Sequence, residues 1–228
     1  MNVLALIPAR VGSKGIPRKN FKPLAGKSPL TRAVECVHAA GLPWPVVTSD
    51  GDKFRDGPDA DCRWLHAHAP LHTDECPMID VVTDALARVP GPSDQIIVLL
   101  QPTQPMRQPK HIRAAIALLQ ETQADSVVSV KELPRDLSPR LVCDIADGRL
   151  WPWIDGFDWD DVPGCRQHCT PVYQREGTVY AFRRQTVERY RNIYGQDVRP
   201  LIIPAEDTCS LDSLADWAEA ERRLTARS

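Results

Sequence analysis

The residues with the clearest chemical potential lie in a basic, glycine-containing stretch near the N-terminus. A short apolar run from Val3 to Ile7 predicts a buried strand, and Pro8 ends it. The stretch that follows carries four cations and two glycines, namely Arg10, Gly12, Lys14, Gly15, Arg18 and Lys19. Glycine allows a sharp turn close to a ligand, and the N–H groups of such a turn form a concave anion site. This spacing predicts a polyphosphate-binding loop, with a solvated basic turn as the alternative.

Two well-known phosphate loops are excluded by their spacing. A Walker loop ending at Gly26-Lys27-Ser28 requires a glycine at the position that Phe21 occupies. A dinucleotide-binding fingerprint requires G-x-G-x-x-G after the strand, and Gly12 and Gly15 do not have that spacing. The stretch is therefore predicted to be another class of phosphate loop.

Strands and helices alternate along the first part of the sequence. Apolar runs predict strands at 3–7, 45–50, 95–101 and 126–130, and apolar residues at helical spacing predict helices at 29–40, 78–88 and 110–122. This order favours an α/β fold with a mainly parallel sheet and helices on both faces. Ligands bind beyond the carboxyl ends of the strands in such sheets. Arg10, Asp50 and Gln101 end or follow three of the strands and are therefore expected at one rim.

The alternation is interrupted between about residues 133 and 176. This segment contains Trp151, Trp153 and Trp159 among several prolines and glycines, and we interpret it as a lid, a dimerisation arm or both. Aromatic residues chiefly bury apolar area, which favours packing over substrate contact. Strands are predicted again at 178–182 and 200–203, and helices at 184–194 and 213–225. We expect one domain, residues 1–228, with this arm inserted.

Composition narrows the class of protein. The apolar fraction is 43% and the formal net charge is −2, so no global basic field favours nucleic acid. The longest aliphatic run, Ile96 to Leu100, is too short to cross a bilayer. The seven cysteines are odd in number and scattered, which is typical of a reducing compartment. With no leader-like segment at the start, we expect a cytoplasmic protein that binds neither nucleic acid nor membranes.

Residues 7–20 form a longer motif, Ile7-Pro8-Ala9-Arg10-x-Gly12-Ser13-Lys14-Gly15-Ile16-Pro17-x-Lys19-Asn20. This motif resembles the signature of the acylneuraminate cytidylyltransferase family, the CMP-sialic acid synthetases. Further segments resemble the same family in the same order, at 47–50, 73–82, 99–107, 166–180 and 210–216. The resemblance implies a Rossmann-like nucleotidyltransferase fold and a homodimer. It also implies transfer of CMP from CTP to an acidic acceptor, with release of pyrophosphate.

The resemblance implies roles for individual residues. Nucleotide binding is implied for Ala9, Arg10, Gly12, Ser13, Lys14, Lys19, Asn20 and Asp74, and catalysis for Arg10, Lys14, Lys19 and Asp212. Acceptor binding is implied for Gln101, Arg107, Arg166, Gln167 and Arg175. Asp212 is the expected ligand of Mg²⁺ or Mn²⁺, because such a cation needs only one or two carboxylates beside phosphate oxygens. Fixed cations aimed at the phosphates stabilise the charge that develops on the leaving group.

Several of these residues also have a purely structural interpretation. Lys19 is alternatively a solvated charge, and Gln101 a side chain that satisfies backbone groups at a strand end. Asp212 is alternatively the N-cap of the helix that begins near Ser213, since aspartate favours that position. Arg166 is alternatively a surface residue of the arm.

Three positions depart from the family pattern. Ser210 stands where the family has the first aspartate of Asp-x-Asp, His68-Ala69-Pro70 replaces an Arg-Pro pair, and Gln174-Arg175-Glu176-Gly177 lacks the usual asparagine. These differences leave open a sialic-type sugar acid or a small phosphonate as the acceptor. They also leave open a UTP- or GTP-dependent enzyme acting on a sugar phosphate, and a catalytically silent nucleotide-binding protein.

Overall fold

A seven-stranded sheet forms the centre of the protein. The computed structural model describes residues 2–52, 61–68, 70–71, 73 and 75–227. The sheet strands are β1 (Val3–Pro8), β2 (Val46–Ser49), β3 (Arg63–His66), β4 (Ile96–Leu99), β5 (Ser126–Glu132), β8 (Tyr173–Arg183) and β9 (Val198–Ile202). Their order across the sheet is β3-β2-β1-β4-β8-β5-β9. The helices are α1 (Pro29–Ala39), α2 (Met78–Arg88), α3 (Pro109–Thr122), α4 (Arg184–Tyr190) and α5 (Leu214–Thr225).

The sheet is mainly parallel, as the alternation predicts. Strand β1 pairs in parallel with β2 and β4, β2 with β3, and β5 with β9. Strand β8 runs antiparallel to both of its neighbours, β4 and β5. The reason is the arm: the chain leaves β5 at Glu132 and returns opposite it at Tyr173, so the excursion acts as one long hairpin connection. The strand that follows the arm, β8, begins at Tyr173.

Helices cover both faces of this sheet, which confirms the predicted α/β class. Alternate residues of β1 point to opposite sides: Ala5 and Ile7 join a cluster with α1 and α3, whereas Leu6 joins a cluster with α2 and α4. Strand β4 divides in the same way between its even- and odd-numbered residues. Period-two alternation with both sides apolar is what a strand buried on two faces requires.

A third apolar cluster joins the two ends of the chain. Ile16 and Leu24, from the segment after β1, pack with Leu211 and with Trp217 and Leu224 of α5. All five side chains are buried, and Ile16, Leu24 and Leu211 are fully so. This packing brings the basic glycine loop beside the segment that precedes α5.

The arm contains a separate two-stranded hairpin. Strand β6 (Cys143–Ala146) pairs antiparallel with β7 (Arg149–Pro152). The connecting residues Asp147 and Gly148 both have positive φ, 52° and 73°, as the favoured two-residue hairpin turn requires. Around the hairpin lie short 3₁₀ turns at Arg135–Leu137, Pro139–Leu141 and Arg166–His168.

Two elements differ from the prediction. Strand β3, which begins at Arg63, is not among the predicted strands, and residues 53–60 before it lie outside the described part of the chain. The helix expected to reach residue 194 ends at Tyr190, because Arg191 has a φ of 56° and cannot continue it. No helix in the described ranges combines the length and apolarity needed to span a membrane.

Candidate active site

A cavity of about 280 Å³ opens beyond the carboxyl ends of β1, β2 and β4. Its lining includes seven residues that the sequence analysis predicted to bind a ligand or to lie at the carboxyl ends of the strands. They are Ala9, Arg10, Lys19, Asn20, Asp50, Gln101 and Asp212. The walls are completed by residues following β2 and β4 and by the start of α2. The position matches the expectation for ligand sites in parallel sheets.

The glycine loop is held at both of its ends. The Asp50 carboxylate at the end of β2 accepts a hydrogen bond of 2.7 Å from the N–H of Val11. The Asn20 amide, 6% exposed, donates to the carbonyl oxygen of Arg10 over 2.9 Å. The Asn20 Oδ1 atom is buried and has no partner among the described residues. An unsatisfied acceptor in a cavity wall is the kind of group that a ligand donor would satisfy.

Lys19 connects this loop to the C-terminal segment. Its ammonium donates to the carbonyl oxygen of Leu211 over 2.6 Å and lies 3.4 Å from Oδ1 of Asp212. The Lys19 side chain is only 16% exposed. Lys19 is therefore not a solvated surface charge, which was the alternative interpretation of the sequence. A Cβ atom on Gly15 would lie 2.5 Å from the backbone oxygen of Asp212. The absence of a side chain at Gly15 therefore allows the glycine loop to approach the backbone of Asp212 closely.

Asp212 presents its carboxylate toward the cavity rather than capping the helix. Ser213 is the N-cap of α5, in a reciprocal capping box with Asp216. The Asp212 side chain is 71% exposed, and its Oδ2 accepts a hydrogen bond of 2.6 Å from the Ser210 hydroxyl. Within the described ranges, no cluster of three His, Cys, Asp or Glu side chains is arranged to hold a metal. One carboxylate fits a cation whose remaining ligands are phosphate oxygens and water.

The remaining nucleotide residues lie around this centre. Gly12, Ser13 and Lys14 belong to the loop between Arg10 and Lys19 but are not part of the cavity lining, and Gly12 and Lys14 are exposed. Asp74 lies outside the described residues.

Of the five predicted acceptor residues, the structure brings Gln101 to the cavity. Arg166 and Gln167 lie on an exposed 3₁₀ turn of the arm. Arg175, on β8, is exposed and contacts the ring and hydroxyl of Tyr194. None of these three residues is part of the cavity lining.

Arg107 departs from the sequence-based expectation. The side chain is 8% exposed, and its guanidinium donates to the carbonyl oxygens of Gln101 and Thr178. Burial lowers the pKa of Arg107 to about 10, although the neighbouring Cys36 and Glu176 act to raise it, and the side chain stays charged at neutral pH. Because its donors face backbone oxygens inside the protein, we assign Arg107 a structural role instead of acceptor binding.

Comparison with known proteins identifies the family of the chain. A family model described as cytidylyltransferase matches residues 4–219. The chain belongs to the cytidylyltransferase family. It is therefore an enzyme of the nucleotidyltransferase class.

Several curated relatives resemble this cytidylyltransferase over nearly its whole length. A CMP-N,N'-diacetyllegionaminic acid synthase from Legionella pneumophila is 30% identical over 98% of the chain and 97% of the relative. An 8-amino-3,8-dideoxy-manno-octulosonate cytidylyltransferase from Shewanella baltica is 26% identical, with 98% and 99% covered. An N-acylneuraminate cytidylyltransferase from Streptococcus agalactiae is 25% identical over 95% of the chain and 52% of the relative.

Solved structures share its fold. A CMP:2-keto-3-deoxy-manno-octonic acid synthetase, solved in complex with CTP, superposes with a TM-score of 0.74 at 16% identity over the full length of both chains. A 4-diphosphocytidyl-2C-methyl-D-erythritol synthase from Anaerococcus prevotii superposes with a TM-score of 0.64 at 14% identity, covering 98% and 96%. At these identities the likeness establishes the fold, which is the Rossmann-like nucleotidyltransferase fold.

Sequence reasoning missed several residues of the cytidylyltransferase cavity. They include Thr48, Leu71, Cys76, Met78 and Thr103. Thr48 is the third residue of β2, and Thr103 follows β4. Their positions near the ends of predicted strands could have identified them as cavity residues. Met78 is the first residue of α2 and Cys76 lies two residues before it, and only the tertiary position of that helix brings them to the cavity.

The segment that carries Asp212 is anchored by a buried carboxylate. Asp207 is 3% exposed and accepts hydrogen bonds from Gln108 (2.6 Å), His111 (3.2 Å) and Arg227 (3.0 Å), with Lys110 at 2.9 Å. His111 receives the N–H of Gln108 on Nδ1 over 3.2 Å. With Nδ1 accepting and Nε2 facing a carboxylate, the neutral Nε2–H tautomer satisfies both contacts.

We expect the cytidylyltransferase to lose stability on acidification below about pH 6.5. Burial lowers the pKa of His111 and outweighs the attraction of Asp207, which acts to raise it. Burial acts to raise the pKa of Asp207, but hydrogen bonds from Lys110 and Arg227 outweigh this and lower it. The unfolded chain therefore binds more protons than the folded one, so the free energy of unfolding falls as the pH falls.

Melting temperatures recorded from pH 7.5 to pH 5 test this expectation. His111→Gln removes the imidazole titration, so the decrease between pH 7 and pH 5.5 should be smaller in the variant than in the wild type. Parallel curves for the two proteins would contradict the role of His111.

Proposed function

We propose that this enzyme transfers CMP from CTP to a sialic-type or related sugar acid and releases pyrophosphate. The observation that carries the proposal is the meeting of the basic glycine loop with Asp212 at one cavity, through the contact of Lys19 with Leu211 and Asp212. This arrangement puts cations and a carboxylate at the same strand-end cavity, as a triphosphate with its metal requires.

In the proposed reaction an acceptor oxygen attacks the α-phosphorus of CTP. The new bond joins this oxygen to phosphorus, and the proton of the acceptor hydroxyl passes to water. The bond to the bridging oxygen breaks, and pyrophosphate leaves with the electron pair. Negative charge develops on the leaving oxygen. Arg10, Lys14 and Lys19 would stabilise this charge as fixed cations, a form of preorganised electrostatic catalysis. The backbone N–H groups at Gly12 and Ser13 would contribute further donors to the phosphates. The Ala9 N–H donates to the carbonyl oxygen of Thr48 over 2.9 Å, so Ala9 would contact the nucleotide only as part of the cavity wall.

The nucleoside is assigned to the wall of the cavity beneath the loop. Asn20 supports this assignment. Its Nδ2 donates to the carbonyl oxygen of Arg10, whereas its buried Oδ1 has no partner among the described residues. A ribose hydroxyl or a base amino group would satisfy that oxygen. We propose Asp74 as a further nucleotide contact on the family resemblance alone.

We propose Mg²⁺, or Mn²⁺ in its place, as the cofactor, held by Asp212. The exposed carboxylate and its position at the cavity support this role. The metal would supply charge neutralisation to the phosphates when bound. Lys19 would then keep the carboxylate oriented, since it lies 3.4 Å from the Oδ1 atom.

The acceptor is proposed to be a sugar acid because the three curated relatives named above carry sugar-acid names. Gln101 at the cavity edge offers both donors and an acceptor to hydroxyl and carboxylate groups. Arg166 and Gln167 are proposed as acceptor contacts only in a conformation in which the arm approaches the cavity. Arg175, on β8, is proposed as an acceptor contact on the family resemblance alone. The cytoplasm is the proposed compartment, which the seven free cysteines support.

The proposal is tested by product analysis. CTP, UTP, GTP and ATP are each supplied with Mg²⁺ and a panel of sugar acids and small phosphonates, and products are identified by mass spectrometry. We expect a CMP ester of a sugar acid and stoichiometric pyrophosphate with CTP alone. Exclusive turnover of UTP or GTP, or of a phosphonate, would reject this donor or acceptor assignment. CTP binding without turnover on any acceptor would favour a silent nucleotide-binding protein.

We also propose that the enzyme is a homodimer that associates through the arm. The hairpin and its surroundings expose Ile145 (72%), Leu150 (51%), Trp151 (49%) and Trp153 (61%). An exposed apolar patch of this kind is typical of an interaction surface, and its position on an inserted hairpin fits association with a second copy.

The double variant Ile145→Ser/Trp153→Ser is expected to convert the dimer to a monomer in sedimentation velocity experiments. Trp44→Ser is the matched control, because Trp44 is 64% exposed but lies outside the arm. A wild-type monomer, or a dimer that survives the double substitution, would contradict the proposed interface.

A further inference from the structure

We propose that Gly177 is a positioning residue for acceptor recognition, and that it acts by leaving the space in which the Gln101 carboxamide lies. The inference deepens the proposed function and rests on its assignment of the acceptor to the Gln101 side of the cavity. Gly177 itself lies on β8, behind the cavity wall, and is not part of the cavity lining.

The contact between Gly177 and Gln101 is unusually close. A Cβ atom on residue 177 would lie 2.2 Å from Oε1 and 3.2 Å from Cδ of Gln101, and 3.4 Å from Cγ of Gln104. The φ of Gly177 is not positive, so the backbone itself does not require glycine here. The requirement is for space, and the group that fills this space is the end of the Gln101 side chain.

The backbone on both sides of this contact is fixed by Arg107. Its guanidinium donates to the carbonyl oxygens of Gln101, Gly177 and Thr178, the Gly177 contact being 3.4 Å. One buried side chain therefore ties the end of β4 to β8. Removing it would leave three carbonyl groups without these donors, which is costly inside a protein.

A bulge in β8 holds Gly177 from the other side. The register between β5 and β8 shifts between Val128 and Val130. The Ser129 hydroxyl bridges this irregularity, donating to the Glu176 carbonyl oxygen and accepting the N–H of Val179, both at 2.9 Å. The buried Glu176 carboxylate accepts the Thr178 N–H (3.1 Å) and hydroxyl (2.6 Å). Bulges beside active sites commonly direct a neighbouring side chain.

These contacts predict which atoms move when a methyl group is added at residue 177. The backbone at 176–178 is held by Arg107, Ser129 and Glu176, whereas the Gln101 carboxamide is the far end of a flexible side chain. The carboxamide should therefore rotate away, and the fold should survive. Acceptor binding should weaken, while the triphosphate loop, which follows β1 and has no contact with residue 177 among those given for its Cβ position, should be unaffected.

The experiment compares Gly177→Ala, Gln101→Ala and the double variant with the wild type. We expect Gly177→Ala to raise the KM for the acceptor about tenfold, as expected for one hydrogen bond worth roughly 1.4 kcal/mol, with the KM for CTP within about twofold. The double variant should be no worse than Gln101→Ala, because both changes remove the same contact. Additive effects, or equal increases in both KM values, would overturn the proposal.

Gly91→Ala is a matched control. A Cβ atom at residue 91 would lie 2.3 Å from Oε1 of Gln95, a nearly identical clash with a glutamine at the opposite end of β4. Gln95 binds the buried Arg184, so this variant is expected to lower the melting temperature and leave the acceptor KM unchanged. If Gly91→Ala raises the acceptor KM as much as Gly177→Ala does, general loosening of β4 explains the effect and the proposal fails.

A crystal structure of the Gly177→Ala protein separates this inference from the proposed function. A displaced Gln101 carboxamide with residues 176–178 in place supports the positioning role even if no acceptor is turned over. An unmoved Gln101 overturns it. Absence of turnover in the wild type rejects the proposed function alone.

Discussion

Asp212→Asn is expected to reduce kcat by about 100-fold or more while leaving the melting temperature close to that of the wild type. The Asp212 carboxylate is 71% exposed and contacts Lys19 and the Ser210 hydroxyl, so little packing depends on it. In the proposed mechanism its charge is needed for the metal, and asparagine keeps the shape but loses the charge. The Mg²⁺ concentration for half-maximal rate should rise sharply in any residual activity.

Asp216→Asn provides the comparison for stability. The Asp216 carboxylate accepts the Ser213 hydroxyl at 2.8 Å and the Ser213 N–H at 2.7 Å, and the hydroxyl bond is the main reason that the pKa of Asp216 is lowered. Its loss should cost about 1 kcal/mol of folding free energy. Ser210→Ala, which retains the Asp212 carboxylate, should keep kcat within several-fold of the wild type. If Asp212→Asn lowers the melting temperature as Asp216→Asn does and leaves kcat unchanged, Asp212 has a structural role only.

Lys19→Met is expected to reduce kcat by about 100- to 1000-fold, the range found when one preorganised donor is removed from a charge-stabilising site. The ammonium lies at the cavity, 2.6 Å from the Leu211 carbonyl oxygen, so its direction is fixed before any ligand binds. Methionine keeps much of the apolar volume and removes the charge. Steady-state rates at saturating CTP and acceptor, with CTP binding measured by calorimetry, provide the test.

The matched control is Lys27→Met. Lys27 follows the same loop, but it pairs with Glu35 at 2.7 Å on the surface, where both side chains are about half exposed. Such pairs contribute about 0–1 kcal/mol, and Lys27 lies outside the cavity lining. We expect wild-type kinetics for Lys27→Met. Comparable rates for the Lys19 and Lys27 variants would remove Lys19 from the mechanism.

The sequence determined the elements whose signals are local. Alternating strands and helices, the end of β1 at Pro8 and the start of α1 at Pro29 depend on side-chain periodicity and on the geometry of proline. The mainly parallel α/β fold follows from their order. The basic loop after β1 could also be predicted from the sequence. Its glycines and cations lie in one short stretch, so they can form an anion site without distant residues.

Tertiary structure decided the relations between distant segments. The reversed direction of β8 depends on where the arm returns to the sheet, and the contact of Lys19 with Asp212 joins residues 193 positions apart. The family resemblance implied acceptor binding for Arg107, yet its donors face backbone carbonyl oxygens. Residue type indicates which bonds a side chain can make. Its partners are fixed only when packing excludes water and brings distant backbone within reach.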